Sequence, residues 1–270
     1  MIKKFIDNYQ HTIFLIILHV GALYGIGYCF NTGNWHYLFV SYLLCLTHLL
    51  FANNIGMHRL FAHRTFKTEK WKEQMLAIWT VFLGGRGPIG WVSVHRHHHI
   101  HSDKAKDPHS PTQLGRWYVI LGMWGFESSD KFYNRTRIRP PRDLIRDPLM
   151  MFIETHYFKI WIVLTLVFYT LGGLNTVIFG LFTPAVFYII HANLITNTLS
   201  HGFVLPGTYR NFNTDDCSTN HWLCQLLTLG EGYQNNHHEN CTTCSQAVKP
   251  GEFDPAAWVV DKFFAIKDKE

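Results

Sequence analysis

The chain has 270 residues, 47 % of them hydrophobic and 16 % charged, with a formal net charge of +5. That length allows one or two domains. Internal repeats, low-complexity tracts and nucleic-acid motifs are absent, and the basic residues follow a membrane-orientation pattern, so no nucleic-acid partner is needed to explain the charge.

The N-terminus, Met1 to Lys4, leads into an apolar run without a small-residue cleavage site, and reads as the approach to a span and not a removed signal. A spanning helix needs roughly 20 mostly apolar residues. Residues 12–31 and 35–55 qualify, separated by Thr32, Gly33 and Asn34. The second run leads into Asn53, Asn54 and His58. Segment 74–92 is apolar but broken by Gly84, Gly85, Arg86, Gly87 and Pro88, which predicts an interfacial or amphipathic helix and then a turn. A polar stretch with Asp103 and Asp107 follows, and Pro140-Pro141 marks another break. Residues 157–174 and 175–199 predict two more spans. The tail carries an expected amphipathic helix over 220–233. The expectation is an all-α integral membrane protein, one domain over 1–270. Four transmembrane helices form two hairpins beneath a histidine-rich cap built from 56–156 and 200–270.

All 24 basic residues lie in the N-terminal tail, in 56–159 or after His201. The turns at 32–34 and 172–176 carry none. The positive-inside rule then puts both termini and the cap in the cytoplasm. The run Arg135, Arg137, Arg139, Arg142 and Arg146 reads as a solvated or lipid-headgroup face. Its sharper reading is a dock for the polar head of a substrate, with Arg86 and Trp91 as further candidates.

Three histidine clusters punctuate the cap: His58 and His63, then His95, His98 and His99, then Gln234, His237 and His238. Neutral imidazole is the commonest metal ligand. On an α-helix, positions i, i+3 and i+4 share a face, so each of the two triads can aim two or three ligands at one centre. His97 and His101 point away from that face. His58 and His63, five apart, diverge by about 140° on an unbroken α-helix. They converge only if the helix ends or bends between them, or if each serves a different ion. His201 ends a polar stripe with Asn193 and Asn197 on an apolar helix, and polar groups at membrane depth usually mean function. His201 reads as a ligand, Asn197 as the holder of a metal-bound water, and Asn193 as an interhelical hydrogen-bonding residue. His11, His19, His36, His48, His109, His156, His191 and His221 stand alone and read as structural. Eight imidazoles exceed one coordination shell and suit two ions side by side. All-nitrogen sites suit zinc, copper, iron or nickel. Iron with dioxygen fits a site beside lipid, because attack on an unactivated C–H bond needs an oxidised metal.

Of six cysteines, Cys29 and Cys45 lie in apolar runs as small hydrophobes. Cys241-x-x-Cys244 is a weak signal for metal or redox chemistry, since structural zinc wants four such ligands. A cytoplasmic site disfavours a disulfide.

These motifs resemble the membrane fatty acyl desaturases of the Δ9, stearoyl-CoA desaturase-like type. The run from Gly56 through His58 and His63 to Lys67 looks like their first box. The run from Gly87 through Trp91, His95, His98 and His99, with Asp103 and Asp107-Pro108-His109, looks like the second. Asn197 and His201 are similar to the family's asparagine–histidine motif on the fourth span, and Gly230 to His238 looks like the third box. The similarity runs from about residue 50 to about 260. It implies two irons held by His58, His63, His95, His98, His99, His201, His237 and His238, with Asn197 acting through water. It also implies dioxygen as co-substrate, an external electron donor such as cytochrome b5 or ferredoxin, and a long saturated acyl chain, thioester- or lipid-linked, entering a bent tunnel. The third box departs from the Δ9 type: Gln234 stands where that type has histidine. Front-end desaturases carry glutamine there, with a fused cytochrome b5 domain for which this chain is too short. Gln234 is either a weak carbonyl ligand or a gap in one coordination shell. The alternatives left open are hydroxylation by the same centre and a membrane zinc-binding protein using His237, His238, Cys241 and Cys244.

Overall fold

The computed structural model describes residues 2–267. Among them every regular element is helical, and β pairing is limited to the isolated bridges His201–Ser218, Tyr209–Asn220 and Asn220–Tyr233. Three segments are long and apolar enough to cross a membrane: Phe5–Thr32, His36–Ala62 and Pro148–Leu199.

Helix α1 (Ile2–Thr32) stops where Gly33 adopts φ of 72° and returns its N–H to the Cys29 carbonyl at 2.9 Å. Glycine takes this left-handed stop without a Cβ penalty. Helix α2 (His36–His48) continues unbroken as a π-helix over Leu49–Ala62. The second apolar segment is thus longer than 35–55, and His58 lies on it, not past its end as the sequence implied. Helix α3 (Lys70–Trp79) and a 3-10 turn over Thr80–Leu83 bury Leu76, Val81 and Leu83 in the core. Helix α3 is amphipathic, as expected here, with Leu76 and Ala77 buried and Trp71 and Ile78 left exposed.

Helix α4 (Pro88–His101) has proline at its start, where the missing N–H costs nothing. Two of its free N–H groups, Ile89 and Gly90, donate to the Glu154 carboxylate at 2.9 and 3.2 Å. Glu154 belongs to α5 (Pro148–Val177), so α4 is pinned end-on to the third apolar segment. Helix α5 is itself capped by Asp147, which accepts from the N–H groups of Leu149 and Met150.

Backbone angles leave the helical region at Gly172 (φ −165°, ψ 22°) and Gly173 (φ 71°, ψ −162°). A Cβ placed on Gly180 would lie 3.0 Å from Phe168. A straight helix would hold these residues roughly 18 Å apart, so the path bends sharply at the two glycines. Beyond the bend run a π-helical turn (Ile178–Phe182), α6 (Thr183–His191) and a second π-helix (Ala192–Leu199). Gly21 and Gly25 of α1 let the 178–182 turn approach closely: a Cβ on Gly25 would sit 2.7 Å from Ile178. Small residues at such crossings substitute close packing for the missing hydrophobic force between helices in lipid. Tyr37 stacks on Phe179 at 4.7 Å, which places the 33–35 turn and the glycine bend at one end of the molecule. His58, His63 and the other clustered histidines lie at the other. Ile17, Leu23, Phe39, Val163 and Leu171 point outward from the apolar segments. In the tail only Trp222–Leu227 is helical within the 220–233 stretch, because Leu229 and Gly230 both take positive φ. The short α7 (Gln234–Glu239) follows.

Candidate metal centre

Eight imidazoles converge into two adjoining clusters. His58, His63, His95, His99 and His237 bring one ring nitrogen each to within 4.8 Å of one another; His98, His201 and His238 do the same beside them. In the first cluster the Nε2 atoms face each other, at 2.9 Å for His58–His237, 2.7 Å for His63–His95, 3.2 Å for His95–His99 and 3.0 Å for His99–His237.

The π-helix explains the first motif. A π turn closes between residues five apart, and the His63 N–H bonds the His58 carbonyl at 3.1 Å. Both rings therefore leave the same side of the helix, 4.9 Å apart. The helix ends at Ala62, one residue before His63, as one of the expected routes to convergence requires, and its last π turn closes through the His63 N–H. The second motif is split, with two of its three ligands sharing a centre, the lower of the two numbers the sequence allowed. Each α-helical residue turns about 100°, so His95 and His99 lie about 40° apart while His98 lies about 60° to the other side. His95 and His99 join the first cluster and His98 the second. Helix α7 repeats the device, sending His237 to the first cluster and His238 to the second. In both neighbouring pairs, His98–His99 and His237–His238, the rings are 5.7 Å apart, so the two clusters sit side by side.

Carboxylates hold the far side of four rings. Nδ1 of His58 meets Glu231 at 2.7 Å, His98 meets Asp107 at 2.9 Å, His201 meets Asp103 at 3.1 Å and His238 meets Asp216 at 2.6 Å. A carboxylate on Nδ1 keeps the proton there and leaves the Nε2 lone pair facing the centre. Nε2 of His238 is enclosed and has no hydrogen-bond partner. Burial, then the crowding of neighbouring imidazoles, holds His95, His99 and His237 well below the usual histidine range and His63 down to about 2. Burial takes His238 down to about 4. Burial also disfavours charge on His201, but the hydrogen bond and charge of Asp103 outweigh it and raise its pKa.

This donor set fits metal ions. Adjacent ligands on an ion with metal–nitrogen bonds near 2.1 Å stand roughly 3 Å apart, which matches the Nε2 separations. Ring nitrogens facing one another at that distance either share a proton or bind a common cation.

Sequence reasoning missed three supports. Glu231 and Asp216 have no motif to mark them. Arg59 could have been found, because a charge inside an apolar segment is costly. All five of its N–H donors are used: Nε to the Cys244 carbonyl, Nη1 to the Asn54 carbonyl and Glu231, Nη2 to the Gly230 carbonyl and Asp254. His109, expected to stand alone, lies against His98 with rings 4.5 Å apart and forms a ligating group with His98 and Asp107. His97 and His101 stay outside both clusters and face each other at 4.5 Å. The Gln234 amide N–H donates to the Glu231 carbonyl at 3.0 Å, and the residue lines the cavity beside the histidines. Asn197 lies near His201 and donates to Asn193 at 3.0 Å, and its own carbonyl oxygen accepts no bond among the described residues. Among these residues no group of three or more ligand side chains includes Cys241 or Cys244.

Beside the clusters lies a partly enclosed cavity of about 120 Å³. His58, His95, His98 and His201 open onto it, with Trp91, Asn197 and Gln234 in its wall. Trp91 stacks on His95 and donates to the Tyr188 hydroxyl at 3.2 Å; that hydroxyl donates to Asn53 at 2.8 Å. Of the arginines proposed for a substrate head, Arg86 lines the cavity. Arg135 is committed to Glu127 and to the carbonyls of Asp107 and Pro108, whereas Arg137 and Arg139 are exposed.

Residues 32–246 match the profile of the fatty acid desaturase family. The chain is 34 % identical over 233 residues to an sn-1 stearoyl-lipid 9-desaturase of Anabaena variabilis, covering 86 % of this chain and 81 % of that protein. It is 33 % identical to an sn-2 palmitoyl-lipid 9-desaturase of Nostoc sp., covering 83 % and 74 %. It is 31 % identical to an acyl-CoA C20 Delta5-desaturase of Anemone leveillei, covering 93 % and 77 %.

Proposed function

Because the chain belongs to the fatty acid desaturase family, we propose that its eight clustered histidines hold two irons which introduce a double bond, at Δ9, into a long saturated acyl chain. The protein is an oxidoreductase of membrane lipid metabolism. The reaction takes two hydrogens from adjacent methylenes. Dioxygen is the oxidant, and two electrons with two protons complete its reduction, so the products are one double bond and two waters. The observation that carries this reading is the convergence of two imidazole clusters on the wall of one cavity.

His58, His63, His95, His99 and His237 would hold one ion. His98, His201 and His238 would hold the other, with Asn197 contributing through a water. Two irons supply the oxidising power that an unactivated C–H bond demands. The protein does the rest. Glu231, Asp107, Asp103 and Asp216 fix the Nδ1 protons of four ligands and so orient their rings. Gln234 supports the turn beneath Glu231 rather than ligating. Trp91, locked by Tyr188 and Asn53, gives the cavity a rigid wall, and rigid walls hold the reacting carbons at one depth.

The membrane arrangement we infer is four crossings in two hairpins, one domain over the whole chain, with both termini and the metal centre in the cytoplasm. The bend at Gly172–Gly173, with Phe168 against Gly180, supports dividing the third long segment in two. The absence of basic residues from both turns at the far end supports the orientation. The acyl substrate reaches the site from the membrane, on a thioester or lipid carrier. Electrons come from a cytoplasmic carrier of the cytochrome b5 or ferredoxin kind.

Expression in a desaturase-deficient cell, followed by mass analysis of its acyl chains, tests this reading. A new monounsaturated chain with its double bond at carbon 9 is expected. A product that gains oxygen instead would make the centre a hydroxylase.

A further inference from the structure

His97 and His101 of α4 belong to neither cluster and take no part in the chemistry proposed above. They lie one α-helical turn apart, both half-buried, with ring centroids 4.5 Å apart. Histidines at i and i+4 on one helix face are a recurrent two-point grip on a transition-metal ion. Nε2 of His97 is enclosed and has no hydrogen-bond partner among the described residues. Nε2 of His238, inside the second cluster, carries the same mark. An enclosed polar atom without a partner is costly, and an ion shared with His101 would satisfy it.

The surroundings admit a cation. His101 is the last residue of α4, and the carbonyls at a helix C-terminus concentrate negative potential. The loop that follows carries Lys104 and Lys106, both exposed. Lys104 turns its ammonium to Asp215 at 3.4 Å, and charges held in solvent are screened by salt.

Position on the helix ties the pair to the metal centre. At about 100° per residue, the histidines of α4 fan around it in the order His97, His101, His98, His95 and His99, in steps of about 40°, 60°, 60° and 40°. His98 belongs to the second cluster, and His95 and His99 to the first. Imidazole therefore runs from the half-exposed edge of α4 to both clusters. The side chains of His98, His201 and His238 are only 5 %, 3 % and 3 % exposed. An ion bound for that cluster needs an entry path.

We propose that His97 and His101 form a third metal site, a two-imidazole port that takes a divalent transition-metal ion from solvent and passes it towards His98. Imidazole suits iron, copper, nickel and zinc alike. Two such ligands, with water completing the shell, hold an ion loosely enough to release it. The binding stands on the geometry of the pair; the passing-on rests on the two-ion reading of the clusters.

The probe is cupric ion, the tightest binder among the divalent ions of its row. Iron-loaded, air-oxidised full-length protein in lipid nanodiscs should take up copper without losing iron. Electron paramagnetic resonance should show a mononuclear copper signal split by two nitrogens. His97→Ala and His101→Ala should each weaken that binding about 100-fold or more, because each removes one arm of a two-point grip. His156→Ala, which removes a lone histidine of α5, should leave it unchanged. After iron is stripped, both α4 variants should refill with ferrous iron several-fold more slowly than the parent, yet reach the same final content. Membrane accumulation equal to the parent's separates these effects from misfolding. No copper signal from the parent, or a two-nitrogen signal that survives both α4 substitutions, would overturn the site. Parental loading rates in both variants would overturn the port. A parent that holds no iron in either cluster would instead overturn the two-ion reading, and the copper titration would still decide whether the pair binds metal.

Discussion

Asp216→Asn is the sharpest single-atom probe of the centre. One Asp216 oxygen, Oδ2, takes the His238 Nδ1 proton at 2.6 Å. The other, Oδ1, accepts from Thr214 Oγ1 at 2.7 Å, from Ser218 Oγ at 2.5 Å and from the Ser218 N–H at 3.1 Å. Asparagine has one oxygen for both duties. Three donors outvote one, so the amide oxygen should stay in the loop and the NH₂ should face His238. His238 Nδ1 must then accept, its proton moves to Nε2, and the ring presents N–H where a lone pair is required. The loop keeps its bonds, so folding should be little affected. Loss of such a carboxylate–histidine partner typically lowers metal affinity or activity by about 10- to 100-fold, or roughly 1.4–2.8 kcal/mol. The assay is metal content per chain together with double-bond formation in membranes. The variant should accumulate normally, lose metal from the three-histidine cluster first and desaturate 10- to 100-fold more slowly. Full metal occupancy with full activity would refute the tautomer argument.

Three other consequences can be checked together. His98→Ala should abolish turnover while the protein still inserts in membranes, whereas His109→Ala should cost roughly tenfold or less, since His109 bears on the centre only through His98 and Asp107; equal losses in the two would contradict the assignment. Arg59→Met should destabilise the folded protein by about 3–5 kcal/mol, the usual cost of stranding a buried charge, because Glu231 and Asp254 lose their shared cation; denaturation in detergent would show it. Finally, metal-stripped protein should lose stability as pH falls from the ordinary histidine value near 6.5 towards 4. The buried rings refuse protons that the unfolded chain accepts, His238 down to about 4, so the unfolded state binds more protons across that window and acid favours it. A flat melting temperature between pH 7 and 4 would contradict this.

Much of the site was legible because metal ligation constrains residue type. The histidine motifs, Asn197 and His201 were visible from composition and spacing alone, and every histidine expected to ligate falls in one of the two clusters. The geometry inside the motifs was not legible. Spacing of five reads as divergence on an α-helix, and nothing in Leu49–Ala62 announces that the backbone winds in π turns that bring His58 and His63 together. Adjacent histidines look like one face at coarse resolution, yet the 100° between His98 and His99 sends them to different clusters. Glu231 and Asp216 were invisible because their partners are distant or belong to another element, and a lone carboxylate in a polar tail has many ordinary explanations. Apolar runs marked the long segments but not their limits, since Arg59 and Glu154 are buried by polar partners that hydropathy does not count.

The account depends most on two ions lying side by side in an all-imidazole cage. X-ray absorption at the iron edge, on protein purified from its native host, measures this directly. Two irons per chain, a nitrogen-rich shell near 2.1 Å and scattering from a second metal are the predicted result. One metal per chain, two zincs without iron, or a shell dominated by sulfur would contradict it.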